Sequence, residues 1–398
     1  MTINIALLGY GTVGKGVYRT IQQHQGRLQK LLSEEVKVVA ILVRDIKKHT
    51  APDQSVMLTN QYEKIQQLEN IDVVIDAIVG IEPAATYLQS AIEKGRHVIT
   101  ANKEMFAEKS NILRELAKKY HVSVGYEATV AGGIPIIQTL KKLLNANKVT
   151  KVEGILNGTS NFILTKMREE QLSFDNALAL AQKLGYAEAD PTNDVEGFDA
   201  YYKAAILSEL IYGEKPKSEQ IERNGIASIA KSDITFFNEL GLRYKHVATI
   251  EYAHSQVKCA VRPVLVESNH PLYQVEGVQN AIHIEADIVG SISLQGPGAG
   301  MYPTASAIIE DLIHLSEKDQ EYTFNEESTL DQQRSAKTSW IAYGRSALQQ
   351  LPEGAEIMKM IANDTWVVEI EGDLLIEDAS LIQILGDATR LKEMKKIH

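Results

Sequence analysis

Ile3-Asn4-Ile5-Ala6-Leu7-Leu8-Gly9-Tyr10-Gly11-Thr12-Val13-Gly14 opens the chain and governs how the rest is read. Ile3 to Leu8 reads as a short apolar strand, Gly9 to Gly14 has the spacing G-x-G-x-x-G, and a helix follows from about Val13. Alone, that glycine spacing is a weak signal, but a strand before it and a helix after it are the context a dinucleotide-binding turn needs. Gly9 permits the tight turn, Gly11 lets the main chain approach a pyrophosphate, and Gly14 lets helix and strand pack closely. The helix N-terminus then faces the phosphates. The alternative is a glycine-rich turn in a fold without a nucleotide; the flanking elements favour the dinucleotide.

Beyond this segment, strands and helices alternate. Val36 to Val43, Asp72 to Ile78 and His97 to Thr100 read as strands, and Ala84 to Lys94 and Ser110 to Tyr120 as helices. Such alternation predicts a parallel, doubly wound α/β sheet, a Rossmann-type nucleotide-binding domain over residues 1–130. After about Ala131 the pattern becomes α+β, with helices at Pro135 to Leu144, Ser173 to Leu184 and Phe198 to Tyr212. Strands are expected at Val149 to Leu156, His246 to Tyr252, Gln256 to Val266 and Asn280 to Ala286. This predicts a second, substrate-binding domain over 131–302. A glycine loop, Ser293 to Gly300, feeds a helix over about 303–316 that returns to the first domain. A polar hinge at 317–337 predicts few contacts across it, so that 338–398 forms a small separate module dispensable for folding. In that module Trp340 to Tyr343, Thr365 to Ile370 and Leu374 to Ile376 read as strands and Leu381 to Lys395 as a helix, with no final strand.

Composition narrows the function. Of 398 residues, 41 are Lys or Arg and 52 Asp or Glu, a formal net charge of -11. With no basic stripe, this argues against a nucleic-acid partner. No apolar run approaches a membrane span, and the first residues lack the basic region and cleavage site of a signal peptide. The single cysteine, Cys259, excludes an intramolecular disulfide and reads as a small core residue. The cytoplasm is the expected compartment.

Four segments could carry chemistry. The second strand ends Val43-Arg44-Asp45; Arg44 could pair with a 2′-phosphate, which favours NADP, while Asp45 leaves NAD open. Thr100-Ala101-Asn102-Lys103 follows a strand's carboxyl end, where ligands of such sheets bind, although a lysine there is commonly only solvated. Glu127 to Pro135 includes Gly132-Gly133, whose freedom could turn carbonyls towards a hard monovalent cation; a hinge turn without an ion fits equally. Most informative is Leu184 to Lys203, an acidic Pro- and Gly-broken loop running into a helix. There Asp199 and Lys203 stand at i and i+4, on one helix face, and Glu188 adds a second carboxylate. A surface ion pair is the plain reading of D-x-x-x-K; a carboxylate that holds an ammonium group for proton transfer is the functional one. Asn157-Gly158-Thr159-Ser160-Asn161 could contact a substrate carboxylate or cap a helix.

Taken in order, Gly9–Gly14, Thr100–Lys103, Glu127–Pro135, Asn157–Asn161, Leu184–Lys203 and Gly296–Gly300 make the chain resemble homoserine dehydrogenase from roughly Ile3 to Ser316. The resemblance implies reversible NAD(P)-dependent hydride transfer between L-homoserine and L-aspartate 4-semialdehyde, on the route to threonine and methionine. It implies Lys203 as proton donor to the carbonyl oxygen, Lys103 as a second lysine at substrate and nicotinamide, and Glu188 and Asp199 as homoserine contacts. Gly9, Gly11, Thr12, Val13, Gly14, Arg44, Ala101, Lys103, Gly185 and Gly300 fall at cofactor contacts. The backbone oxygens of Glu127, Val130, Gly132 and Ile134 match a sodium site, and a homodimer or higher homo-oligomer is implied. Longer relatives end in a regulatory ACT domain with an Asp-x-Pro-Gly turn. None occurs in 338–398, so a divergent ACT-like module is expected there. Two other readings bear on the same residues: a catalytically silent nucleotide-binding sensor of the same fold, and aspartate-semialdehyde dehydrogenase. The latter needs a reactive cysteine, a context Cys259 lacks.

Overall fold

The computed structural model describes residues 2–216, 221–253, 256–315, 337–349, 351–352, 354–371 and 381–394. Two compact units emerge, one made of Met1–Lys148, Ala205–Ile211 and Gly296–Tyr322, the other of Val149–Ala204, Tyr212–Gln295 and Thr323–His398.

The first unit is built on six strands, β1 (Thr2–Leu8), β2 (Glu35–Leu42), β3 (Met57–Thr59), β4 (Val73–Asp76), β5 (His97–Thr100) and β6 (Val124–Gly125). They lie in the order β3-β2-β1-β4-β5-β6 and every pairing is parallel. This is the doubly wound nucleotide-binding arrangement, with its order reversing between β1 and β4. The strands are runs of Val and Ile because helices cover both faces. One covering helix, Met301–His314, comes from far along the chain. Its Ala305, Ile308, Ile309 and Leu312 share a core with Ile5, Leu7, Val17 and Ile75. Gly16 marks the closest approach: a Cβ there would lie 2.6 Å from the Met301 carbonyl oxygen.

The second unit carries a ten-stranded sheet. Its members are β7 (Val149–Ile155), β8 (Ile221–Arg223), β9 (Arg243–Ala253), β10 (Gln256–Val266), β11 (Gln279–Ala286), β12 (Gly290–Pro297), β13 (Lys337–Tyr343), β14 (Glu356–Ala362), β15 (Thr365–Glu371) and β16 (Leu381–Leu385). The order is β12-β11-β7-β9-β10-β16-β13-β15-β14, with β8 paired to β10. The helices Gly158–Glu169, Phe174–Lys183 and Lys231–Glu239 belong to the same unit.

Several local expectations are corrected. Leu381 to Lys395 is not one helix. Leu381–Leu385 is a strand, buried throughout and paired with both β10 and β13, and only Thr389–Glu393 is helical. A final strand therefore exists. The tail is not separated by a contact-poor seam either. Leu265 and Val266 pair with Ile384 and Leu385, and Ile341, Ile361, Val367, Ile382, Ile384 and Leu391 lie in one core with Phe237, Leu240 and Tyr244. The polar stretch 317–336 and the expected strand at Leu374–Ile376 fall outside the described residues. Residues 293–297 are not loop but part of the edge strand β12, since main-chain pairing to β11 tolerates glycine at an edge. The long helix expected from Pro135 is one α-turn, Ile136–Gln138, followed by a π-helical turn, Thr139–Leu143. Conversely, the helix expected at Ser110 begins at Lys103.

Candidate functional site

At the end of β1 the backbone turns at Gly9, whose φ of +102° an L side chain rarely adopts; a Cβ there would also meet the Ala77 carbonyl at 2.6 Å. A Cβ on Gly14 would be 2.1 Å from the Gly9 carbonyl oxygen, so helix and strand close only on a bare Cα. Gly11 is the opposite case: it caps the Thr12–Gln23 helix and nothing lies within 4 Å of where its Cβ would be. That open cradle at a helix N-terminus, at the point where strand order reverses, fits a pyrophosphate. Gly300, with φ of +120°, starts the Met301–His314 helix that packs on this same helix at Gly16. At the end of β2, Arg44 is exposed. Asp45 spends its carboxylate on the Lys47 amide, 3.0 Å away, capping the turn Ile46–Lys48.

Lys103 is held by its neighbours rather than left on a loop tip. Asp76, buried at the end of β4, accepts hydrogen bonds from the Thr100 hydroxyl (2.8 Å) and the Ile78 amide (2.9 Å). Burial pushes its carboxyl up to about 6. The Thr100 hydroxyl accepts from the Asn102 amide at 3.0 Å. The Asn102 side chain donates to the Gly80 carbonyl (2.7 Å) and accepts from Met105 N–H (3.1 Å), capping the Lys103–Tyr120 helix. Lys103 is thus the first residue of a firmly capped helix, and Ala101 is tied to β4 by its N–H to the Asp76 carbonyl, 3.0 Å.

The turn from Glu127 to Ile134 is almost wholly buried. Ala131 and Gly132 are consecutively left-handed, with φ of +53° and +54°, and a Gly132 Cβ would stand 2.3 Å from the Gly298 carbonyl oxygen. The Glu127 carboxylate accepts from the amides of Ile137 (2.9 Å) and Gln138 (2.7 Å), and its own N–H donates to Asp311 at 2.8 Å. Burial first, then the neighbouring Asp311, pushes the Glu127 carboxyl up to about 8; burial pushes Asp311 up to about 7. Both groups therefore bind protons more tightly folded than unfolded. Their contribution to stability is complete below the ordinary carboxyl range and is lost as pH rises through these values. The melting temperature should fall between about pH 5 and 8, and Asp311→Asn should flatten that fall, leaving the shares due to Asp76 and to the burial of Glu127. An unchanged slope in thermal melts of the variant across this range would count against the buried pair.

In the second unit, Asp199 and Lys203 lie on the first turns of the Phe198–Tyr212 helix, 4% and 7% exposed. The Lys203 ammonium donates to Asp199 Oδ2 at 2.7 Å and to the Leu156 carbonyl at 2.6 Å. This is no solvated surface pair. Asn157 caps the Gly158–Glu169 helix through Oδ1, and its Nδ2 bridges Asp199 Oδ2 (3.0 Å) and Asp194 Oδ1 (2.7 Å). Of its two expected roles the helix cap is present, and the same side chain also holds the Asp199 carboxylate. Asn280 Nδ2 donates to the same Leu156 carbonyl at 2.9 Å. Glu188 is exposed, and its carbonyl accepts from Gln182 at 3.0 Å; Gly185, with φ of +78°, ends the preceding helix. Sequence reading missed Asn280 and the Leu156 carbonyl, because neither an isolated asparagine in a strand nor a main-chain oxygen carries a pattern.

Cys259 is buried and its thiol is pushed up to about 12, so it offers no thiolate nucleophile. Glu153, His270 and His283 bring ligand-type atoms within 4.8 Å of one another. Glu153 is, however, neutralised by Lys151 at 2.5 Å. His270 accepts the Leu272 amide on Nδ1, so its proton sits on Nε2, facing Glu153 at 2.9 Å. Glu153 is thus occupied by Lys151 and His270, and His283 Nδ1 pairs with the Ser293 hydroxyl at 2.8 Å, so the trio is not a prepared metal site. Among the described residues no helix is long and apolar enough to cross a membrane.

Comparison with known proteins agrees along the chain. Residues 9–127 match the family model described as homoserine dehydrogenase, NAD binding domain, and residues 135–313 match the one described as homoserine dehydrogenase. The homoserine dehydrogenase of Lactococcus lactis is 42% identical over 333 residues, 82% of this chain and 78% of that protein. The crystal structure of a homoserine dehydrogenase from Thiobacillus denitrificans superposes with a TM-score of 0.83 at 30% identity, over 97% of this chain and 98% of that one. A hyperthermophilic archaeal homoserine dehydrogenase in complex with NADPH gives 0.68 at 31% identity, over 79% and 98%.

Proposed function

The chain belongs to the homoserine dehydrogenase family, and from that premise we propose that Lys203 moves the proton that accompanies hydride transfer between L-homoserine and L-aspartate 4-semialdehyde. The single observation that carries this assignment is the buried Lys203 ammonium, fixed by Asp199 at 2.7 Å and the Leu156 carbonyl at 2.6 Å. Oxidation of the alcohol leaves a proton to be accepted, and reduction of the aldehyde needs one returned; one positioned lysine serves both directions. The nicotinamide, when bound, takes or gives the hydride. Asp199 and Glu188 carry the negative charge that would hold the substrate ammonium, and Lys103 is assigned to the substrate and nicotinamide. A buried lysine held this way argues for turnover rather than for a silent sensor.

The chain is an NAD(P)-binding oxidoreductase, and NADP is our reading of its preferred cofactor. Gly9, Gly11, Thr12, Val13 and Gly14 would hold the pyrophosphate, with Gly185 and Gly300 as further contacts. Support for NADP comes from Asp45, whose carboxylate is committed to capping and so is poorly disposed to take a ribose hydroxyl, while Arg44 stays exposed beside it. Arg44→Asp should lower the ratio of kcat/KM for NADP to that for NAD by about tenfold or more, the worth of one hydrogen bond to a charged group. Steady-state kinetics with both cofactors and aspartate semialdehyde read this out directly; an unchanged ratio would mean that Arg44 faces only water.

A sodium ion on the carbonyl oxygens of Glu127, Val130, Gly132 and Ile134 belongs to the same proposal. The Glu127 carboxylate is spent on two amides, so neutral carbonyls would do the coordinating, a donor set that suits a monovalent rather than a divalent cation. A cytoplasmic homodimer and an ACT-like character for the tail complete the reading.

A further inference from the structure

We propose that Asn280 is a positioning residue for Lys203, acting through the main-chain carbonyl of Leu156. This rests on the assignment of Lys203 given above. Leu156 follows β7, and Asn280 lies on the neighbouring antiparallel strand, one residue before the pair Ala281–Ile155. The Leu156 oxygen accepts two hydrogen bonds, from Lys203 at 2.6 Å and from Asn280 Nδ2 at 2.9 Å. A carbonyl has two lone pairs, and both are used here. The amide group of Asn280 therefore sets where that oxygen points, and with it one of the anchors of the ammonium.

The orientation of the asparagine is not interchangeable. Turning the amide over would set Oδ1 against the Leu156 oxygen, so Nδ2 must face it. Asn280 Oδ1 is then left buried, without a hydrogen-bond donor among the described residues, in a side chain that is 0% exposed. A buried orphan acceptor lowers stability, and an apolar side chain of similar size would avoid it. Stability alone thus gives no reason for asparagine at this position.

The surroundings hold Asn280 in register. Asn161 Nδ2 lies within 3.2 Å of the carbonyls of Val275, Gly277 and Gln279, the segment leading into β11. Gly158, beside Asn157, lets that segment approach: a Cβ there would be 2.9 Å from the Val278 oxygen. Asn157, Asn161 and Asn280 thereby link two anchors of Lys203, the Asp199 carboxylate and the Leu156 carbonyl, to one scaffold.

The test is a pair of variants with three readouts: kcat and KM, the pH profile of kcat, and the melting temperature. Asn280→Leu should lower kcat by about 10- to 100-fold, the scale of a small misplacement of a reacting group, with KM for NADPH close to wild type and a melting temperature not reduced. Asn280→Asp keeps the shape but puts an oxygen where Nδ2 donates, so it can hold the Leu156 carbonyl only while its buried carboxyl is protonated. As that carboxyl ionises with rising pH the donor is lost, and kcat should fall along a limb that the wild-type pH profile lacks. If the leucine variant does not fold, the shape-conserving aspartate variant decides alone. Wild-type kcat and a wild-type pH profile in the folded variants would overturn the inference. Lys203→Ala in the same assays keeps the two ideas apart. If it is inactive while the Asn280 variants behave as wild type, only the role of Asn280 falls; if it turns over normally, the assignment of Lys203 itself fails.

Discussion

Lys203→Ala is expected to lower kcat by about 10²- to 10⁴-fold, the usual contribution of a general acid–base group, while the Kd for NADPH stays near wild type. The reasons are local. The ammonium is buried, and it is held between Asp199 and the Leu156 carbonyl at hydrogen-bonding distance. Its removal leaves Asp199 with Asn157 as a hydrogen-bond donor, 3.0 Å away, so the carboxylate keeps support and the fold should survive. The glycine turn and the capped start of the Lys103 helix belong to the other unit and are untouched. Stopped-flow kinetics and a cofactor titration separate the two quantities. A variant with wild-type turnover would remove Lys203 from the chemistry; one that also loses NADPH binding would show damage wider than the proton transfer.

Ending the chain after residue 336 is expected to abolish a stable second unit. The tail supplies β16, which pairs with β10, and six buried aliphatic side chains, Ile341, Ile361, Val367, Ile382, Ile384 and Leu391, in a core shared with Phe237, Leu240 and Tyr244. At about 1.5–3 kcal/mol for each large apolar side chain buried, the loss rivals the whole net stability of a typical domain, about 5–15 kcal/mol. Polar links go as well. Arg390 donates to the Leu240 carbonyl at 2.6 Å, the Glu267 amide donates to the Leu385 carbonyl at 2.9 Å, and Arg262 loses both Gln383 at 2.7 Å and the Trp340 ring. Circular dichroism, gel filtration and thermal melts of the truncated chain should report an expanded or aggregating protein. A monodisperse fragment with unaltered activity would mean that the shared core is dispensable.

How much of this was legible in the sequence depended on whether the signal was local. The first unit announced itself, because parallel strands covered on both faces are continuous apolar runs and each is followed by a helix. The spacing of Asp199 and Lys203 was likewise visible, since i and i+4 on a helix is a local fact. The strand at Leu381–Leu385 was misread because four apolar residues in five fit a buried helix segment as well as a strand. What decides it is pairing on both sides, with β10 and β13, which is information held elsewhere in the chain. The start of the Ile136–Gln138 turn is likewise fixed from a distance: the Glu127 carboxylate, ten residues before Ile137, takes the first-turn amides of Ile137 and Gln138. The anchors of Lys203 were invisible in part because one is a main-chain oxygen, the same in every residue type, and the asparagine that orients it comes from another strand.

The Met301–His314 helix bears on the order in which the molecule can be made. Its side chains fill the core of the nucleotide-binding sheet, and the contact from Arg19 to Met301, at 3.8 Å, joins residues 282 positions apart. During synthesis the six parallel strands leave the ribosome early, with the surface meant for that helix still bare. They must wait while the intervening residues are translated, a delay of roughly 10–40 s at ordinary elongation rates. Closing so long a loop also makes this half of the molecule intrinsically slow to fold. Until it closes, the exposed face lined by isoleucine, leucine and valine of the early segment is the natural target of chaperones, and the early half of the chain is its most aggregation-prone species.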